Sequence, residues 1–260
     1  MAVPFACTDD DMQWAGMSCS DEEPCPVYLE LSEIDAIGTR IFLLGNLHTG
    51  STTLYSLLLS SDDGGVAWTE PYERMRGVGL NHIQLFDFQN GWISGGTMIP
   101  VARDPFFLIT SDGGKSWRLR PVVAEGTGGA IRQFHFDSAS SGVMVIDRMQ
   151  SAESSRYELY ETPNGGETWM IRRTSNQAIA LPQASPDAPN NGWRIRPDQR
   201  SKSFAIEKLK DDNWIAVASF LVQVGSCKAE ARALEPPPEP ETEPHAPPAA
   251  PGLQKRRRKP

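Results

Sequence analysis

The chain has 260 residues, with 33 acidic against 25 basic side chains, a net charge of −8 and 39% hydrophobic residues. That charge gives no reason to expect nucleic acid on the main body, and no stretch approaches the roughly 18 apolar residues of a membrane-spanning helix. The 22 glycines and 21 prolines imply many turns, which suits an all-β chain better than a helical one.

The opening "MAVPFACTDD" lacks a basic n-region and an apolar h-region, so it does not read as a signal peptide. It reads as the beginning of a mature domain with a Met placed in front, from a longer precursor or an internal start. Residues 1–25 are polar and acidic, with Asp9-Asp10-Asp11 and Asp21-Glu22-Glu23, and are expected to form an irregular lead segment. Cys7, Cys19 and Cys25 lie here, and Cys227 lies far downstream. An even cysteine count is compatible with two disulfides in an oxidising compartment, periplasmic or secreted. Three pairings are open to the sequence. The expected pair of bridges is Cys19 with Cys25 and Cys7 with Cys227. Four reduced thiols in a cytoplasmic protein is the alternative. A zinc site fits poorly, because there is no CxxC pair and His48 stands 23 residues past Cys25.

Regular pattern begins near Val27. "VYLEL" alternates with the period of two of a half-buried strand, and "RIFLLGNL" (40–47) and "TLYSLLLSS" (53–61) follow. A second unit reads "HIQLFDF" (82–88), "NGWISGG" (90–96) and "PFFLITSDGGKSW" (105–117). A third reads "IRQFHFD" (131–137), "SGVMVID" (141–147) and "YELYETPNGGETW" (157–169). A fourth reads "IALPQ" (179–183), "NGWRIRP" (191–197) and "FAIEKLKDDNW" (204–214).

One short turn recurs through these units: Asp63-Gly64-Gly65…Trp68, Asp112-Gly113-Gly114…Trp117 and Asn164-Gly165-Gly166…Trp169, with a worn copy at Asp211-Asp212-Asn213-Trp214. The tryptophans at 68, 117, 169 and 214 are 49, 52 and 45 residues apart. A second marker, Gly91-Trp92, Gly142-Val143 and Gly192-Trp193, repeats at 51 and 50 residues. Two independent markers at one period describe a repeat protein, and four short strands per 45–50 residues describe a propeller blade. Paired glycines accept positive φ, and an Asp or Asn before them bonds the backbone ahead. The turn thus reads as a hairpin clasp joining the third and fourth strands of each blade, with no catalytic role.

These turns resemble the Asp-box of bacterial-neuraminidase-type repeats. "LFDFQNGWISGG" followed by "ITSDGGKSW" is more specifically similar to the propellers of photosystem II stability and assembly factors. The resemblance spans about residues 28–222 and implies an all-β propeller. Such propellers usually have more than four blades, whereas four four-stranded antiparallel blades are recognisable here, so either a small ring or an incomplete one, an arc completed by the N-terminal segment or another chain, is expected. The expected organisation is a Cys-bearing segment 1–25, a propeller 26–227 and a disordered tail 228–260. Within the tail, residues 235–251 hold eight Pro and four Glu.

Catalytic patterns are weak. Arg118, Arg120, Arg172 and Arg173 would serve a sialidase-like carboxylate site, but they fall on fourth strands, where charge blocks strand pairing between molecules. Asp87, Asp137 and Asp147 are candidate glycosidase acids, yet Asp87 and Asp137 hold corresponding places in two repeats and so suggest a shared turn role. No Ser-His-Asp, HExxH, phosphate-loop or EF-hand pattern appears, and no cofactor or metal is expected. Lys255, Arg256, Arg257, Arg258 and Lys259 offer nucleic acid a foothold only at the tail. The expectation is a non-enzymatic scaffold that binds protein through a propeller face and loops 97–104, 121–129 and 148–156. A secreted glycan-binding or glycoside-hydrolase protein is the alternative.

Overall fold

The computed structural model describes residues 1–98, 101–149, 155–181 and 190–228. Hydrophobic alternation resolves into four antiparallel sheets. The first blade holds β1 (Cys25–Ile37), β2 (Arg40–His48) and β3 (Thr53–Ser61). The second holds β4 (Val78–Leu85), β5 (Gly91–Thr97), β6 (Arg103–Thr110) and β7 (Arg118–Pro121). The third holds β8 (Ala130–Phe136), β9 (Gly142–Asp147), β10 (Tyr157–Thr162) and β11 (Met170–Ser175). The fourth holds β12 (Trp193–Asp198), β13 (Ser203–Lys210) and β14 (Asn213–Leu221), and the chain then runs into β15 (Gln223–Cys227). Each blade is a meander, because neighbouring strands in sequence pair with each other.

Successive residues of a strand face opposite sides of its sheet, and here the two sides face two different cores. Ile41, Leu43 and Leu47 of β2 join an apolar cluster with Trp193, Ile206 and Phe220 of the fourth blade. Phe42 and Leu44, between them in sequence, join Ile93, Phe106 and Leu108 of the second blade. Trp92, Phe107 and Ile109 then meet Phe136, Met144 and Tyr160 of the third blade. The blades therefore pack in the order fourth, first, second, third. Among the described residues no apolar cluster joins the third blade to the fourth. The third blade's remaining face, with Val143, Val145, Tyr157 and Leu159, is covered by Ile179 and Leu181.

Two details differ from expectation. The fourth blade has three strands among the described residues, not four: Ile179–Leu181 of the expected inner strand forms none, and residues 182–183 lie outside the described residues. In the first blade the chain after Trp68 makes only isolated bridges, Ser60 with Thr69 and Tyr55 with Arg76. The fourth strand of that sheet is β15, which pairs Cys227 against Cys25 on the free edge of β1. The basic run 255–259 and the proline-rich stretch lie outside the described residues.

The lead segment is also not wholly irregular. Asp9–Ala15 forms a helix, α1, because Thr8 and Asp11 make a reciprocal capping box and three acids occupy its first turn, where the helix dipole favours them. Val3, Met12 and Cys19 enter the core shared by the first and fourth blades. Disulfides join Cys7 to Cys227 and Cys19 to Cys25.

Candidate functional site

The three glycine turns share one bonding scheme. In the second blade the Thr110 hydroxyl donates to Asp112 at 2.9 Å and accepts the Gly114 N–H at 2.8 Å, while Asp112 accepts the Ser116 N–H at 3.0 Å. Ser61 and Asp63 repeat this around Gly65, and Thr162 and Asn164 repeat it around Gly166. Bonds from the Ser116 side chain and backbone hold the Asp112 carboxyl down at about 2. Both glycines of each pair have positive φ, such as 76° at Gly113 and 82° at Gly114. Trp117 then meets Phe42 edge-on at 5.6 Å, Trp169 stacks on Phe107 at 5.3 Å and Trp68 meets Phe220 at 5.4 Å. Each of these tryptophans packs on the preceding blade.

Trp214 does not follow. Its hairpin is a two-residue turn in which Asp211 and Asp212 themselves take φ of 47° and 61°, the geometry that two-residue hairpins require. Its ring lies under Arg194, 4.1 Å from guanidinium carbon to centroid. Arg194 and Arg196 both bond Glu207 at 2.7 Å. The face of the fourth blade turned away from the first is thus charged.

The inner strands carry a polar relay. Glu33 and Asp35 of β1 accept the Ile83 and Leu85 N–H groups of β4 at 3.0 and 2.7 Å. Gln84 of β4 exchanges two bonds with the Phe136 backbone of β8, at 2.8 and 2.9 Å, and Gln133 of β8 accepts the Leu181 N–H at 3.3 Å. Each of these inner strands so grips the backbone that follows it in the next unit. Asn191, from the turn before β12, donates to the Ala36 carbonyl and to Asp35. Enclosure raises the Asp35 carboxyl to about 6 against the pull of the Leu85 and Ala36 N–H groups, with Glu33 adding repulsion. His82 stands 3.3 Å from Glu33, whose bond raises the imidazole above its ordinary value. Sequence reasoning missed Glu33, Asp35, Gln84 and Gln133. The available signal was a polar side chain on an inner strand of three successive units.

The three long loops lie at the end of the blades opposite the glycine turns, since they join β5 to β6, β7 to β8 and β9 to β10. Their described parts touch: Gly129 N–H donates to the Ala102 carbonyl at 3.0 Å, and Arg148 reaches the Gly128 carbonyl at 3.2 Å. The Met98 N–H bonds the Gly77 carbonyl, and Trp14 of α1 lies directly over Gly77. Met98, Val101 and Met149 are exposed at this end, as is Trp14. The cations are held in place. Arg76 bonds Asp10 and Asp11 at 2.7 Å each and packs near the rings of Trp14 and Tyr55. Burial opposes charge on Asp11, but its bonds from Tyr55 and Thr8 outweigh this and hold the carboxyl below its ordinary range. Arg148 bonds Glu158 and Tyr160, and burial pushes the Tyr160 hydroxyl up to about 12.

The candidate acids do not converge. Asp87 caps its own turn by accepting the Gln89 and Asn90 N–H groups, both at 2.7 Å. Asp137 is exposed at the glycine-turn end, 3.1 Å from His135. Asp147 is at the loop end in an ion pair with Arg156. Arg118 and Arg120 share Glu167, and Arg172 bonds Glu161, all on outer strands.

No protein-family model matches the chain, and no curated protein matches it. Among solved structures it is similar to YCF48 bound to D1 peptide, at 17% identity and a TM-score of 0.41 over 76% of this chain and 60% of that one. It is similar to YCF48 from Cyanidioschyzon merolae, at 21% identity and a TM-score of 0.36 over 74% and 56%. It is also similar to the GH74 xyloglucanase from Xanthomonas campestris, at 16% identity and a TM-score of 0.39 over 72% and 28%. The chain therefore spans less than two thirds of the length of each of these.

Proposed function

We propose that this protein is a non-enzymatic Asp-box propeller scaffold of the assembly-factor kind, which binds a protein partner through the loop end of its blades. The observation that carries this reading is the exposure of Trp14, Met98, Val101 and Met149 at the loop end of the blades, where Arg76 and Arg103 also lie. Exposed tryptophan, methionine and arginine side chains are the kinds that protein interfaces favour. The glycine turns are clasps between blades, and the two disulfides fit an oxidising, extracytoplasmic location. Photo-crosslinking from position 98, with position 116 at the opposite end as control, tests the reading. A partner protein captured from 98 and not from 116 is expected. Equal capture from both ends refutes the surface.

A second reading, a glycan-binding or glycoside-hydrolase protein, rests on Glu33 and Asp35. They lie two residues apart on an inner strand, and one of them sits near 6. Turnover of aryl glycosides that vanishes in Asp35→Asn and Glu33→Gln would replace the scaffold with an enzyme. The scaffold reading expects no turnover from the wild-type chain.

A further inference from the structure

The outer strands of the blades differ in one respect. An outer strand leaves a row of backbone N–H and C=O groups open to pairing, and proteins guard such rows with charge or proline. The second blade ends on β7 with Arg118, Arg120 and Pro121, and the third on β11 with Arg172 and Arg173. The ragged outer segment of the first blade, 69–76, carries Glu70, Pro71, Glu73, Arg74 and Arg76. In contrast, β14 reads Asn-Trp-Ile-Ala-Val-Ala-Ser-Phe-Leu over Asn213–Leu221, without a charge, a proline or a glycine. Among the described residues it forms the edge of its sheet, paired with β13 on one side. Ile215 is 46% exposed and Val217 36%. The chain's own N-terminus touches this edge only at its far end, where Met1 bonds Ser219 and Leu221.

We propose that the Asn213–Ala218 stretch of β14 is a self-association edge, which pairs antiparallel with the same stretch of a second copy of this chain. A two-fold pairing brings each strand against its own reverse. On β7 or β11 that operation would set arginine against arginine. On β14 it sets Trp, Ile, Ala and Val against one another in any register, with no like charges opposed and β-branched and aromatic residues across the pair. Among the described residues no backbone group of this stretch bonds on the outer side. The bulge at Val217, opposite Ile206 and Glu207, lies near the downstream end of this stretch. The nearest charges, Asp211 and Asp212, stay in the turn that opens the strand.

Sedimentation equilibrium of the full chain tests this. The expected wild-type mass rises with concentration toward twice 28.6 kDa. Ile215→Lys is expected to weaken the dimer about tenfold or more, because two lysines then face one strand pair. Ala216→Lys, on the other side of the strand, gives the same readout should the first variant fold poorly, and near-UV circular dichroism checks the fold of each. Ile171→Lys on β11, also at an exposed apolar position, is expected to leave the dimer unchanged. A wild-type chain that stays monomeric overturns the proposal. So does a dimer indifferent to both β14 lysines, or one dissociated equally by Ile171→Lys.

Discussion

The second and fourth blades start from the same repeat and end in different physical states. The second is apolar on both faces, with Phe42 and Leu44 of the first blade on one side and Phe136 and Met144 of the third on the other. Its turn carries the glycine pair, and its outer strand carries arginine. The fourth is apolar on one face only, its turn is built from Asp211 and Asp212, and its outer strand has no charge. A blade inserted between two neighbours is held by packing. Among the described residues the fourth blade is held from one side, and by covalent and terminal contacts. Repeat position, and not repeat sequence alone, decides how a blade is stabilised.

The sharpest way to break this contrast is to truncate one tryptophan in each. Trp92 is buried, stacked on Phe136 at 3.7 Å, and bonded to the Gly165 carbonyl at 2.8 Å. Trp92→Ala is expected to cost about 3–5 kcal/mol in urea unfolding. Trp214→Ala, whose ring faces an arginine instead of a blade, is expected to cost far less. Equal losses would mean that the fourth blade is packed as the second is.

Removing the Cys7–Cys227 bridge as Cys7→Ser with Cys227→Ser comes next, at about 2–5 kcal/mol for a long closed loop. Hydrogen exchange should then rise first over β12–β14 and leave β4–β6 protected. A uniform rise would show that the bridge supports all blades alike. Gly114→Ala follows, at about 1–3 kcal/mol, because Gly114 sits at a φ of 82° and an added Cβ would run into the Phe42 ring. Asp212→Gly in the equivalent hairpin should be neutral or mildly stabilising, since Asp212 already holds a φ of 61°. A thermal melt of each variant decides.

The smallest effect is in pH. Asp35, raised to about 6 in the fold, favours the folded state below its unfolded value near 3.8, and that contribution is lost as pH climbs through 6. Asp112, lowered to about 2, does the reverse: its contribution is present above 3.8 and is lost as pH falls toward 2. Asp35→Asn should flatten the decline between pH 4 and 7, and Asp112→Asn should flatten the acid limb alone. Urea midpoints across pH measure both.

The strands of the middle blades were legible because alternation and turn chemistry are local. "IRQFHFD" and "SGVMVID" lie on β8 and β9, and each glycine turn sits where its own side chains bend the chain. The helix at Asp9–Ala15 was hidden by its composition: three acids in a row read as solvated loop, and only the Thr8–Asp11 pairing makes them a first turn. The relay through Glu33, Asp35, Gln84 and Gln133 was not legible for a different reason. Each bond joins a side chain to a backbone group some 50 residues away, and a backbone group has no identity in the sequence. The absence of an inner strand from the described part of the fourth blade could not be read from Ile179–Leu181, which are apolar but meet the face of the third blade instead of a partner edge.

The bridge between Cys7 and Cys227 spans 220 residues, which makes the propeller a covalent circle. A protease that cuts once between Cys25 and Cys227 opens this circle without dividing it. Such a nick would leave one species on a non-reducing gel and two on a reducing one. Damage to any single loop is thereby kept from releasing a blade.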